Sequence, residues 1–133
     1  MQNIFLTFLV HMFNLGRLIR SFRHAIEGVS YAWRYNQNLR IHFTIAILVI
    51  IASIFFRVNA FEMGILGVMI LLVISAEMIN TTIEQMVDLI SVEHKKEAKI
   101  AKDVAAGMVL VSALGSIIVG ILIFVPHLLK LFQ

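Results

Sequence analysis

The chain has 133 residues, of which 60% are hydrophobic and 14% charged. A soluble domain carries roughly 45–50% apolar and about 25% charged residues, so these side chains cannot cover a globule with polar surface, and residues 1–133 read as one membrane domain. The net charge of +3 comes from basic residues beside apolar runs, which points to membrane orientation and not to nucleic acid, while the absence of cysteine excludes disulfides, thiolate metal sites and cysteine nucleophiles.

Residues 1–40 read as a cytoplasmic and interfacial N-terminal segment. The first 14 residues are apolar but lack a leading basic region and a small-residue cleavage site, which argues against a cleaved signal peptide. Ile4 to Phe13 are too few to span a bilayer and could extend the element that follows. Over residues 15–29, Leu15, Leu18, Ile19, Phe22, Ile26 and Val29 recur at helical spacing, with Arg17, Arg20, His24 and Glu27 on other faces. That pattern predicts a basic amphipathic helix lying on the inner leaflet.

Three apolar runs predict transmembrane helices at residues 41–56, 61–86 and 104–125. The first is short unless Arg40 and Arg57 snorkel. Arg17, Arg20, Arg23, Arg34 and Arg40 precede the first run, and Lys95, Lys96, Lys99 and Lys102 lie in a loop at 87–103. Only Arg57 and Lys130 fall on the opposite side, so the positive-inside rule makes the N-terminal segment and the 87–103 loop cytoplasmic. The turn Arg57-Val58-Asn59-Ala60 is short enough to leave the first two spans as an antiparallel hairpin. Ser112, Ser116 and Gly120 recur every four residues and read as a close helix-packing face, and Pro126 is expected to mark the end of the third helix.

The second span reads SAEMINTTIEQMVDLI, with Glu77, Asn80, Glu84 and Asp88 at spacings of three, four and four. At 3.6 residues per turn these positions share an arc of about 80° and extend about 16 Å along the axis, from apolar depth to the cytoplasmic surface. A carboxylate inside the bilayer costs about 3 kcal/mol on insertion scales, so Glu77 reads as functional, against the plainer alternative of a hydrogen bond between helices. Glu84 and Asp88, closer to water, could each be a solvated acid. Carboxylate and amide oxygens are hard ligands that suit Mg²⁺ held together with phosphate oxygens. Glu93, Lys95, Lys96, Lys99 and the pair Lys102-Asp103 follow in the loop, where lysines can hold nucleotide phosphates, although the positive-inside rule would place lysines there in any case. There is no GxxxxGK[ST] loop, HExxH or GxSxG motif, and the five histidines share no metal-ligand spacing.

The string AEMINTTIEQMVDLI, followed after a basic segment by AKDVAAG, resembles the small prokaryotic diacylglycerol kinase family, and Asn38-Leu39-Arg40-Ile41-His42 resembles its Gram-positive undecaprenol kinase branch. The similarity covers roughly residues 17–125. It implies an all-α integral membrane protein of the bacterial plasma membrane, with a surface helix and three transmembrane helices, assembled as a homotrimer with sites shared between subunits. It further implies transfer of the γ-phosphate of ATP to a lipid alcohol, undecaprenol or diacylglycerol, on the cytoplasmic side. By the same resemblance Glu77 is the general base and Glu84 binds Mg²⁺, with Asn80 and Asp88 in support. Arg17, His24, Glu93, His94, Lys102 and Asp103 meet the nucleotide, as do Asn36 and Glu84. One position departs: the family usually has a metal-binding glutamate where Asn36 aligns, and an amide offers an oxygen without charge, which weakens metal binding. Two other readings stay open at this stage, an ion- or proton-coupled membrane protein in which Glu77 titrates, and a kinase fold without activity.

Overall fold

A computed structural model describes residues 14–90 and 95–132, which form four α-helices: α1 (Leu15–Tyr35), α2 (Gln37–Phe55), α3 (Ala60–Ile90) and α4 (Lys96–Leu129), the last followed by a 3₁₀ turn (Lys130–Phe132). The chain divides into two compact units, Met1–Tyr35 and Asn36–Gln133. The helix of the first unit starts where Asn14 accepts a hydrogen bond from the Arg17 backbone N–H at 3.0 Å, as an N-cap does. It runs past the expected 15–29 to Tyr35. The segment Ile4 to Phe13 lies outside the described residues.

In the second unit α2, α3 and α4 are each long and apolar enough to cross a membrane. α3 and α4 run antiparallel: Asp88 meets Lys102, Met69 faces Gly115 and Glu62 faces His127, so positions rise along one helix as they fall along the other. Large side chains such as Ile47, Leu48, Ile54, Ile117 and Leu122 remain exposed. An apolar surface this extensive suits lipid as solvent and not water.

Two sets of seven-residue spacing hold the α2–α3 hairpin. Leu39, Ala46 and Ser53 are the buried residues of α2, and Leu66, Val73 and Asn80 are buried on α3. A repeat of seven keeps one seam facing a partner at a shallow crossing angle, and small residues such as Ala46 and Ser53 let the backbones approach. The Ser53 hydroxyl is satisfied within its own helix, donating to the Val49 carbonyl at 2.7 Å. Beyond Ser53, Val58, Leu66 and Ile123 form an apolar cluster with Phe56 and Phe124 packed against it.

Turn chemistry closes that end. The Val58 N–H donates to the Ser53 carbonyl at 2.9 Å and the Arg57 N–H to the Ile54 carbonyl at 3.1 Å, the pair of bonds that defines a Schellman motif. Arg57 occupies the left-handed position usually taken by glycine, with φ 53. Asn59 and Glu62 then form a reciprocal capping box: the Glu62 N–H donates to Asn59 Oδ1 at 3.0 Å and the Asn59 N–H to Glu62 Oε2 at 3.2 Å.

The helices overrun the apolar runs. With 31 residues α3 is about 46 Å long, and α4 with 34 is about 51 Å, against roughly 30 Å of hydrocarbon. Residues 87–90 and 96–103, expected as loop, are therefore helical and carry Asp88 and Lys102. Pro126 does not end α4 as expected, because the helix continues to Leu129. A proline keeps a helical φ and forfeits one backbone bond, and one turn from the terminus little helix remains to disrupt. Ser112, Ser116 and Gly120 are half-buried, and Gly115 also faces α3, where a Cβ would lie 3.7 Å from Met69 Cε.

The left-handed conformation costs an L-residue about 1 kcal/mol. Arg57→Gly is expected to raise the unfolding free energy in detergent micelles by about 0.5–1 kcal/mol, whereas Arg57→Ala leaves it unchanged. Chemical unfolding monitored by circular dichroism measures both.

Candidate active site

The acidic stripe of α3 falls on one face and changes from buried to exposed toward Ile90. Glu77 is 1% exposed and Asn80 4%, Glu84 is half-buried and Asp88 exposed. Leu71 and Leu72, on the apolar side of Glu77, are exposed, as expected of side chains that face lipid.

The start of α2 meets the buried acid. Asn36 caps that helix, its Oδ1 accepting from the Leu39 N–H at 3.1 Å. With the oxygen committed to the cap, the amide orientation is fixed and its amino group points at α3. Asn36 Nδ2 donates to Glu77 Oε1 at 2.8 Å and to Thr81 Oγ1 at 2.5 Å. The Thr81 hydroxyl in turn donates to the Glu77 carbonyl at 2.9 Å, so its lone pair faces Asn36. The expected role of Asn36 as a metal ligand thus meets a different geometry, in which the nitrogen and not the oxygen faces the acids. Thr81 was not among the expected site residues. Its signal was the i,i+4 spacing from Glu77, which puts both on one helix face.

Farther toward water, Asn80 Nδ2 donates to Glu84 Oε1 at 2.9 Å. The other end of that amide, Asn80 Oδ1, is buried without a hydrogen-bond partner among the described residues. A buried acceptor left unpaired costs about 1–3 kcal/mol, so an orphan oxygen beside a carboxylate marks a place for a donor or a cation. At the exposed end Lys102 Nζ pairs with Asp88 Oδ1 at 2.5 Å, joining α4 to the stripe. The next residue, Asp103, is exposed. Among the described residues no three acidic or imidazole side chains converge on one point.

The remaining expected residues lie elsewhere. Arg17 and His24 belong to the first unit, where His24 Nδ1 lies 3.1 Å from Glu27 Oε2 and Arg23 Nε pairs with Glu27 Oε1 at 3.1 Å. Glu93 and His94 lie outside the described residues. The structure therefore brings together Asn36, Glu77 and Thr81, then Asn80 with Glu84, then Asp88 with Lys102.

Residues 23–124 match the family described as prokaryotic diacylglycerol kinase. A protein of Synechocystis sp. named diacylglycerol kinase is 41% identical over 115 residues, which are 86% of this chain and 66% of that protein. A protein of Bacillus subtilis named undecaprenol kinase is 40% identical over 118 residues, 89% of this chain and 96% of that protein.

Exposed ion pairs contribute little to stability, typically below about 1 kcal/mol. Asp88→Ala and Lys102→Ala are each expected to shift the unfolding free energy by less than that, so any loss of turnover above tenfold in these variants reports on chemistry and not on folding. Unfolding curves and turnover measured on the same preparations separate the two.

Proposed function

Because the chain belongs to the prokaryotic diacylglycerol kinase family and is a lipid kinase, we propose that it transfers the γ-phosphate of ATP to the hydroxyl of undecaprenol at the cytoplasmic face of the bacterial plasma membrane. The product is undecaprenyl phosphate. The observation that carries the choice of lipid is the likeness along 96% of the Bacillus undecaprenol kinase. Diacylglycerol is the second reading, favoured by the 41% identity to the Synechocystis protein. Membership in a kinase family leaves no need for the ion-coupled alternative.

In this reading the stripe on α3 joins two phases. The lipid alcohol stays in the bilayer and ATP in water, so transfer takes place where the buried and exposed ends of the stripe meet. Glu77, in apolar surroundings, takes the proton as the hydroxyl oxygen bonds to the γ-phosphorus and the bond to the β–γ bridging oxygen breaks, releasing ADP. Positioning and charge neutralisation are the main demands of such a transfer.

Carboxylate oxygens are hard ligands that suit Mg²⁺, so Glu84 would hold the ion, which when bound neutralises phosphate charge, with Asn80 in support through the hydrogen bond from its amino group to Glu84. Asp88 supports Lys102, and Lys102, Asp103, Arg17, His24, Glu93 and His94 bind the nucleotide. The α1 helix lies on the inner leaflet with Leu15, Leu18, Phe22 and Ile26 toward lipid, and the chain acts as a homotrimer. The basic residues at the start of α2 and of α4 support placing this end in the cytoplasm.

Removing a general base costs about 10²–10⁴-fold in turnover. With labelled ATP, Mg²⁺ and undecaprenol or diacylglycerol presented separately in mixed micelles, the wild type should phosphorylate undecaprenol faster. Glu77→Gln should lose at least 100-fold in kcat and still bind nucleotide. Retained turnover removes the base assignment, and faster transfer to diacylglycerol replaces the lipid.

A further inference from the structure

We infer that Asn36 is a positioning residue for Glu77, holding Oε1 of that carboxylate as an acceptor so that Oε2 is the oxygen presented to the substrate hydroxyl. The inference rests on the reading of Glu77 as the base and adds a residue that acts through it.

The donor and acceptor inventory of an asparagine side chain carries the argument. The amide has one carbonyl oxygen and two N–H donors. The oxygen accepts from the Leu39 N–H at the first turn of α2, and the amino group lies within hydrogen-bond distance of Glu77 Oε1 and Thr81 Oγ1. Each functional end of the side chain is thus engaged, on two different helices. An amino group donates and cannot accept, so the contact to Glu77 is favourable only while Oε1 offers a lone pair. It holds one carboxylate oxygen, Oε1, in a defined role. Thr81 closes the arrangement, since its hydrogen is spent on the Glu77 carbonyl and its lone pair is what the second amino hydrogen finds.

The geometry also supplies its own control. Asparagine and aspartate are equally good N-caps. Asn36→Asp therefore keeps the bond to Leu39 and the size of the side chain and replaces the donor that faces Glu77 with a carboxylate oxygen that repels Oε1. The task of capping α2 survives that change. The task of holding Oε1 does not.

Kinetics with Mg²⁺-ATP and lipid in mixed micelles test this on the full-length protein. Asn36→Asp is expected to lower kcat at least tenfold with KM for ATP and for lipid within about threefold of wild type. Thr81→Val should lower kcat about two- to fivefold and add nothing further in the Asn36→Asp background, because the two groups act as one unit. Unchanged or higher kcat in Asn36→Asp overturns the proposal, the first outcome leaving Asn36 a helix cap and the second making it a cation ligand. A rise in KM for ATP alone overturns it too, by placing Asn36 in nucleotide binding. The infrared carboxylate stretch of Glu77, identified by its loss in Glu77→Gln, separates this inference from the reading beneath it. A band that moves in Asn36→Asp while Glu77→Gln retains turnover upholds the positioning role and removes the base assignment. A band that stays in place overturns the positioning role whatever Glu77 does.

Discussion

A carboxyl group inside a bilayer has to find its hydrogen bonds within the protein, because lipid offers none. Glu77 is almost wholly buried near the middle of α3, directly after its longest apolar run, and the group that meets it comes from the first residue before α2. One side chain therefore starts a membrane helix and satisfies the acid. The requirement is reciprocal: a cap at Asn36 with the opposite amide orientation would lose the Leu39 bond and turn an acceptor toward a carboxylate. This interdependence sets where α2 begins relative to α3, and the seven-residue seam of Leu39, Ala46 and Ser53 against Leu66, Val73 and Asn80 follows from that starting point.

The two ends of the hairpin are built on different physics. At the Arg57 end groups that the helix termini leave open are satisfied locally, by the Schellman bonds of Arg57 and Val58 and by the box of Asn59 and Glu62. His127 approaches Glu62 at 3.5 Å while its other ring nitrogen lies 2.9 Å from the Ile123 carbonyl, so α4 is drawn to the same closed arrangement. The opposite end is left open in one respect, the Asn80 oxygen that no group among the described residues satisfies. A stable terminus and an unfinished one at opposite ends of a rigid hairpin is the division expected when one end anchors and the other binds a ligand.

Much of this was legible in the residues. Three apolar runs gave three membrane-length helices, and the spacing of Glu77, Asn80, Glu84 and Asp88 located the face that runs from burial to exposure, because 3.6-residue periodicity survives any packing arrangement. The length of the helices was not legible: hydropathy marks where lipid ends, while backbone hydrogen bonding continues through Asp88 and from Lys96 into polar sequence. The caps escaped as well. Asn14, Asn36 and Asn59 each precede a helix, but an asparagine between two helical patterns signals a boundary only once both patterns are known to be separate helices. Asn36 was weighed by what its oxygen could ligate, and only the placement of α2 shows that the oxygen is already engaged. Pro126 misled in the other direction, since a proline's effect depends on how much helix follows it.

The stripe itself meets the main demand of the proposed transfer. Phosphoryl transfer asks for little covalent chemistry from the protein and much from position. A single helix that crosses the boundary between hydrocarbon and water already orders its residues by depth, at about 1.5 Å per residue. In the proposed reaction Glu77, Asn80, Glu84 and Asp88 would thereby be spaced along the path between a hydroxyl held in lipid and a phosphate held in water. What one helix cannot supply is lateral constraint, the fixing of each side chain about its own bonds. In this chain that constraint comes from neighbours one contact away, Asn36 on Glu77, Asn80 on Glu84 and Lys102 on Asp88, so each acid of the stripe has a partner that limits its rotamers. Depth is set by α3, and orientation by the residues that touch it.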